Sequence, residues 1–198
     1  MLNRAVIRSA VEIVYSQGFN PRPRFSLPLP RPVGVASEDE LFCAGINLDS
    51  SESDDDTSAL CKGFLDSINA QLPGGCEMFA AELCQGKCSP RPRQGDYEFA
   101  VKNEFADTLD GEVSNLSQRL SSGDVMVERK IDARGRTKMV NVGAYIKSLA
   151  VSDCTVSFAC EITSSGSARP DEILGLLNVD ADMLAGPMVR KKVEWQKN

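Results

Sequence analysis

The chain has 198 residues, of which 42% are hydrophobic and 25% are charged, and its formal net charge is -6. This composition is typical of a globular protein with one large or two small domains, and the absence of an apolar run of about 18 residues predicts no membrane span. Histidine is absent, which excludes Ser-His-Asp and Cys-His catalysis and imidazole metal sites.

The first half of the chain predicts the element order α-β-β-α-β. Its helices show apolar residues at helical spacing, and its first strand contains prolines that confine it to a sheet edge. The elements are a helix over 4–14, a strand over 25–30, a strand over 40–48, a helix over 58–72 and a strand over 76–84. Residues 85–95, QGKCSPRPRQG, are rich in Gly, Pro and Arg and predict a linker.

The second half predicts the order β-α-β, an insert, and β-α-β, which is the split β-α-β order of ferredoxin-like folds. The elements are strands over 96–103, 124–131, 154–163 and 188–195, with helices over 107–122 and after Pro170. We therefore predict an α+β protein of tandem ferredoxin-like units. The first unit, 1–84, lacks its N-terminal strand; a linker over 85–95 follows; and the second unit, 96–198, carries an inserted hairpin.

The seven cysteines form no recognisable metal pattern. Cys84 and Cys88 are a lone C-x3-C pair with only Cys76 nearby, whereas zinc and iron–sulfur sites need three or four ligands. Unpaired cysteines of this kind are usually small buried hydrophobes in a reducing compartment. The sequence therefore predicts no catalytic residue, no metal and no cofactor, and it disfavours an enzyme.

Charge is distributed unevenly along the chain. Residues 1–36 contain five arginines against Glu12 alone, whereas residues 37–56 contain eight acidic residues and no basic one. A second basic cluster surrounds Asp132, between residues 129 and 138. A phosphate responds to the local field within about 10 Å, so these clusters matter more for binding than the net charge. The acidic total still counts against strong non-specific nucleic-acid binding, and we expect no DNA partner.

Three segments resemble one bacterial family. VYSQGFNPRPRFSLPLPRPVGVASEDEL, from Val14, is similar to the hallmark segment of the radical-SAM-linked domain of unknown function. ERKIDARGRTKMVNVGAYIKSL and GSARPDEILGLL are similar to two further segments of it, so the resemblance covers nearly the whole chain. Family members usually begin upstream with a strand and a Ser-His-Leu-Asp segment, whereas Met1 lies inside the helix that follows.

The N-terminal segment lacks the uninterrupted apolar stretch of a signal peptide, so we expect a cytoplasmic protein. The resemblance implies a radical SAM protein encoded nearby or fused to the domain, and we expect the chain to be its non-catalytic accessory domain. The chain lacks the C-x3-C-x2-C motif of radical SAM enzymes, so the catalytic partner would be another chain. The accessory domain would recruit the substrate, and RNA, above all tRNA, is the substrate class that an arginine-rich surface favours. The alternative is a protein-docking module that uses the same basic segment together with residues 166–172.

The candidate binding residues are basic, aromatic or amide side chains in the two basic regions and at the start of the last helix. They are Gln17, Phe19, Asn20, Arg22, Arg24, Arg31, Arg134, Arg136 and Arg169. We expect Arg22, Arg24 and Arg31 to face a groove between the two units. The structural alternative is a rigid connector, since Gly18 permits a turn and the prolines fix backbone angles. Asp171 and Glu172 could form an enzyme site, but acids at a helix start usually cap it.

Overall fold

The computed structural model describes residues 2–9, 11–47, 54–86, 88–132 and 134–196, without the side chains of 54–56. The four α-helices in these ranges are α1 (Leu2–Ile7), α2 (Asp54–Asn69), α3 (Ala106–Ser122) and α4 (Pro170–Leu176). The strands are β1 (Phe25–Ser26), β2 (Val35–Ser37), β3 (Cys43–Ala44), β4 (Arg91–Ala100), β5 (Met126–Lys130), β6 (Thr137–Asn141), β7 (Ile146–Ser152), β8 (Thr155–Glu161) and β9 (Met188–Gln196). No helix in the described ranges is both long and apolar enough to cross a bilayer.

The chain divides into two compact units. Among the described residues, unit 1 comprises those in the ranges 2–28 and 41–89, and unit 2 comprises those in the ranges 29–40 and 90–196. The division after Ser89 lies inside the predicted linker, but β4 already begins at Arg91, so the second half of that segment is strand. Pro92 is accommodated because this end of β4 pairs only with β9, and pairing with β8 starts at Gln94. The transfer of residues 29–40 to unit 2 was not predicted.

Unit 1 is built around a small core in which Val6 and Ile68 are fully buried. The prediction of a helix over 4–14 is wrong beyond Ile7. Ser9 Oγ donates to the Val6 carbonyl at 2.6 Å, which competes with the helical bond. The chain then extends, with Val14 N–H donating to the Gly45 carbonyl at 2.8 Å. Long-range backbone pairing therefore overrides the local helical spacing.

The three strands predicted in the first half of the chain are reduced or absent, and the one over 25–30 is reduced to the two residues of β1. The strand over 40–48 is represented by β3, which pairs antiparallel with β1, and by a single bridge between Ile46 and Ile13. Residues 76–84 form neither helix nor strand. Instead, the Asn69 side chain accepts from the Met78 N–H at 2.8 Å and donates to its carbonyl at 2.9 Å. One side chain thus supplies the hydrogen bonds that a neighbouring strand would have given.

Unit 2 contains a five-stranded sheet in the order β2-β9-β4-β8-β7. Its pairs are antiparallel except for β2 with β9, which are parallel. One face carries large apolar side chains such as Phe99 and Phe158, which pack with Leu116 of α3 and Ile173 of α4 in one buried cluster. The fold is therefore mixed α+β with a mostly antiparallel sheet. The tandem ferredoxin-like arrangement stays a prediction.

Two segments of unit 2 exchange the positions that the sequence predicted for them. Residues 124–131 were assigned to the main sheet, but β5 pairs only with β6, in a separate two-stranded sheet. The neighbouring strand of the main sheet is β7, which lies in the segment between the predicted strands over 124–131 and 154–163. Both segments alternate apolar and polar residues, so local pattern could not decide which of them joins β8.

Candidate nucleic-acid interface

The turn of the β5–β6 hairpin is organised by Asp132. One carboxylate oxygen accepts from the Arg134 N–H at 2.9 Å and the Arg136 N–H at 3.2 Å. The other accepts from Arg136 Nε at 2.6 Å. The hydrogen bond from the Arg136 side chain, with those from the two backbone N–H groups, lowers the pKa of Asp132. Both arginines are exposed, so the turn presents them on an ordered backbone.

The turn end of the hairpin is attached to α4 by a two-pronged ion pair. Arg129 Nε lies 2.5 Å from Glu172 Oε1, and Arg129 Nη2 lies 2.7 Å from Glu172 Oε2. Nη2 also donates to the Ser167 carbonyl at 2.6 Å. The side chains are only 12% and 10% exposed. Paired geometry of this kind fixes orientation as well as distance, so it holds the hairpin at a defined angle to α4.

Burial raises the pKa of Glu172, but the hydrogen bonds and positive charges of Arg129 and Arg169 outweigh it and leave that pKa below its usual value. Glu172 Oε2 also accepts from the Arg169 N–H at 2.9 Å, as a helix cap. Both carboxylate oxygens of Glu172 are engaged in these contacts. This disfavours Glu172 as a member of the enzyme site that the sequence left open. The same contacts link Arg169, which is exposed, to the turn end of the hairpin.

We call the exposed basic residues of this region the hairpin site: Lys130, Arg134, Arg136, Lys138 and Arg169. Three of them are among the sequence-predicted binding residues. The sequence did not single out Arg129 as the anchor. Arg129 lies two residues after Val127, on the same half-buried side of β5. A cation that faces inward from a strand needs a carboxylate partner.

The remaining candidates are mostly in unit 1. Ser16 N–H donates to the Arg22 carbonyl at 2.7 Å and Ser16 Oγ accepts from the Arg22 N–H at 2.9 Å, which closes a loop over residues 16–22. The loop exposes Gln17, Phe19 and Asn20, and Gly18 has the positive φ of 128° that such a turn needs. Arg22 and Arg24 are exposed as well.

Arg31 lies in unit 2, where it is also exposed. The expected groove that would bring Arg22, Arg24 and Arg31 together stays a prediction.

Sequence reasoning missed a buried cation in unit 2. Arg190 is 1% exposed, and its Nη2 donates to Glu40 Oε1 at 2.6 Å and to the Leu29 carbonyl at 3.1 Å. Its Nε donates to Ser37 Oγ at 3.3 Å. Nη1 is buried without a hydrogen-bond partner in the described part of the chain. The spacing of two between Arg190 and the apolar Met188, on the same side of β9, was the signal that the arginine points inward.

Arg190 and its neighbours hold residues 29–40 against β9, and we call this segment the strap. Asp39 Oδ2 accepts from the Val193 N–H at 2.7 Å, and Lys191 Nζ lies 2.5 Å from Glu38 Oε1. Acidic residues that the sequence marked as a charge block therefore attach one segment to one strand. The strap includes Arg31 and much of the segment that carries the family resemblance.

The described residues contain no group of three Cys, Asp or Glu side chains that could hold a metal ion. Cys160 is buried, and burial raises the pKa of its thiol to about 12, with smaller contributions from Glu172 and Asp96. A thiol of this kind is protonated at neutral pH and a poor nucleophile.

One family model matches residues 1–170 of the chain, and its description is "Uncharacterized protein conserved in bacteria (DUF2344)". No curated protein and no solved structure matches the chain.

Proposed function

The chain belongs to this family of uncharacterized bacterial proteins, and we propose that it is a non-catalytic accessory domain that recruits RNA for a radical SAM enzyme carried on another chain. The link to a radical SAM protein comes from the sequence resemblance. The RNA half of the proposal depends on the hairpin site, where exposed arginines are presented by a turn that Asp132 orders. Pre-ordered donors lose less entropy when they bind phosphate.

The strand order of the main sheet in unit 2 is consistent with this role. We propose a ferredoxin-like arrangement for this unit, because β4, β7, β8 and β9 lie in the order β9-β4-β8-β7 with antiparallel neighbours. Many RNA-binding proteins with a similar sheet stack bases on aromatic residues of its open face. Here that face carries Asp96, Glu98, Ser157 and Ala159 instead. Carboxylates repel phosphate, so we assign RNA contact to the hairpin and not to the sheet.

The test is a titration of labelled total tRNA with the full chain at several salt concentrations. Arg134→Ala with Arg136→Ala should weaken binding and reduce the slope of log K against log salt by about 1.4, since each lost contact to single-stranded RNA accounts for about 0.7. The charge-matched control is Lys62→Ala with Arg119→Ala, two exposed basic residues on α2 and α3. An equal effect of both pairs would reject the hairpin site, and salt-independent or absent binding would reject RNA recruitment.

Asp132 provides a test with the opposite sign. Asp132→Asn removes a negative charge from the hairpin site and releases Arg136 from its 2.6 Å ion pair. If phosphate binds there, tRNA affinity should rise and the salt slope should steepen by about 0.7, the value of one added contact. A fall in affinity would mean that the ordered turn matters more than its charge. No change would place the RNA elsewhere.

One observation favours protein docking as a second candidate function. The hairpin exposes Met126 and Met139 on the outer side of its strands, at 39% and 59%, and Ile131 at the start of its turn, at 54%. Exposed apolar side chains of this size are common in protein interfaces, and methionine adapts to varied partners. Co-purification with the radical SAM protein that is lost in Met139→Asp but retained in Arg134→Ala would favour docking. The reverse pattern for tRNA would favour recruitment.

A further inference from the structure

The outer edge of β7 is an open strand edge in unit 2. In the sheet order β2-β9-β4-β8-β7, this seven-residue strand has a neighbour on one side only. Alternate residues of an antiparallel edge strand direct their N–H and C=O groups away from the sheet. In the described part of the chain, no backbone hydrogen bond reaches β7 from that side. The edge can therefore extend the sheet by one strand.

The usual protections of an edge strand are weak here. Proline, inward charges and short length normally discourage strand addition. From Ser148 to Ser152 β7 has no proline and no charged residue. The charged residue of the strand, Lys147, lies at a register shift and its Nζ is 2.6 Å from Glu161 Oε2 within the same sheet. This ion pair partly neutralises the charge of Lys147, so that charge deters an incoming strand less.

A hollow lies on each side of β7. On the helix side, Ser117, Leu120 and Ser121 of α3 and Ile146 and Leu149 of β7 line a groove of about 270 Å³. Its apolar part would accept every second side chain of an added strand. A groove between an edge strand and a helix is a common geometry for binding extended peptides.

On the open face of the sheet, a second hollow of about 360 Å³ is lined by Ser148, Ser157, Ala159, Asp96 and Glu98 among others. The residues nearest β7 are small and leave room for a long side chain. The two carboxylates are bonded to neutral groups, Asp96 to the Gln94 amide at 2.8 Å and Glu98 to the Ser157 hydroxyl at 3.4 Å. Neither forms an ion pair within the described residues. Lys191 also lines this hollow, with its Nζ 2.5 Å from Glu38 Oε1, and Lys192 lies opposite Asp96 on β9. Side chains of an added strand that point to this face therefore meet two carboxylates whose charge is only partly compensated.

We propose that the β7 edge binds an extended segment of a partner protein in which apolar side chains alternate with lysine or arginine. The apolar side chains enter the groove beside α3, and the basic side chains extend over Ser148 and Ala150 toward Asp96 and Glu98. About three strand spacings, roughly 14 Å, separate an added strand from β4. A lysine or arginine side chain of the added strand and a carboxylate side chain of β4, extended toward each other, span most of that distance. This site is independent of the hairpin site and of RNA binding.

The probe is a labelled seven-residue peptide of alternating valine and lysine, measured by fluorescence anisotropy with the full chain. One control peptide has the same side chains with N-methyl groups on alternate residues, which removes donors from the strand edge. A second control replaces lysine with glutamate. We expect saturable binding of the probe and at least about tenfold weaker binding of both controls, a difference of about 1.4 kcal/mol. Equal binding of the probe and the N-methyl peptide would overturn strand addition without reliance on any protein variant.

Ala150→Lys places a charge on the edge, and Ala181→Lys makes the same change at an exposed alanine outside β7. The first should abolish probe binding and the second should leave it unchanged, while Glu98→Gln should weaken it severalfold. Light scattering without peptide tests the alternative occupant. A dimer that Ala150→Lys converts to a monomer would mean that a second copy covers this edge, and the proposal of a partner segment would be wrong.

Discussion

Glu38 and Glu40 lie two residues apart on the strap, and each contacts a basic residue of β9. Glu40 Oε1 accepts from Arg190 at 2.6 Å, and Glu38 Oε1 lies 2.5 Å from Lys191 Nζ. The difference is burial of the cation: the Arg190 side chain is 1% exposed and that of Lys191 is 42% exposed. Replacing each glutamate with alanine therefore compares the same chemical change against a buried and an exposed partner.

Removing one partner of a buried ion pair costs about 3–5 kcal/mol, because the other charge stays buried without compensation. Since the Glu40 side chain is itself 32% exposed, we expect about 2–3 kcal/mol for Glu40→Ala after discounting for solvent screening. Exposed pairs contribute about 0–1 kcal/mol, and Glu38→Ala should cost no more than that. Arg190→Met added to Glu40→Ala should recover about 1–2 kcal/mol, because it removes the unpaired charge and the unbonded Nη1 together.

Trp195 is the single tryptophan of the chain and lies in β9, so its fluorescence during urea unfolding reports on unit 2. Free energies of unfolding follow from linear extrapolation, with the m-value checked for each variant. Equal losses for Glu38→Ala and Glu40→Ala would refute the argument from burial. A further loss on adding Arg190→Met would show that the packing and hydrogen bonds of the arginine matter more than its uncompensated charge.

Two further predictions concern groups whose pKa is shifted by the fold, Glu172 and Cys160. Because the folded pKa of Glu172 is lowered, its ion pair with Arg129 stabilises the protein above about pH 4.3, the ordinary glutamate value, and loses that contribution as the pH falls through the folded pKa. Glu172→Gln should therefore lower the free energy of unfolding at pH 7, and the deficit should shrink in acid; a constant deficit would contradict this. The Cys160 thiol, with its pKa raised to about 12 by burial, should resist alkylation in the native state while the exposed Cys88 reacts, as peptide mass spectrometry can measure; equal labelling would contradict the burial.

Local sequence pattern was sufficient where an element is defined by its own residues. The apolar positions of α3, Leu109, Val113 and Leu116, are buried as helical spacing requires, and the segment that became β8 was identified from alternation. Pattern failed where pairing was decided at long range. Val14 completes a helical spacing with Ala10 and Val11, yet its N–H bonds Gly45. No feature of residues 4–14 encodes that partner.

The candidate site shows the same limit in its charges. The sequence identified Arg134 and Arg136 as a basic cluster, because neighbours in sequence remain neighbours in a turn. Arg129 and Glu172 are 43 residues apart, so their ion pair depends on the position of the hairpin relative to α4. Composition also cannot separate a cation that binds a ligand from one that holds the fold, since both appear as an arginine in a strand.

Burial separates these two roles in unit 2. Among the basic residues of unit 2 in the described ranges, Arg129 and Arg190 are the most buried. Each binds a carboxylate of its own unit: Arg129 binds Glu172, and Arg190 binds Glu40. Their charges are already neutralised, so they fix the hairpin and the strap in place. Arg134 and Arg169, by contrast, stay exposed, and both contribute backbone N–H groups to the contacts that order them. Their guanidinium groups are accessible to an incoming phosphate, and for this reason the proposed recognition involves the turn and the start of α4 and not the buried pairs.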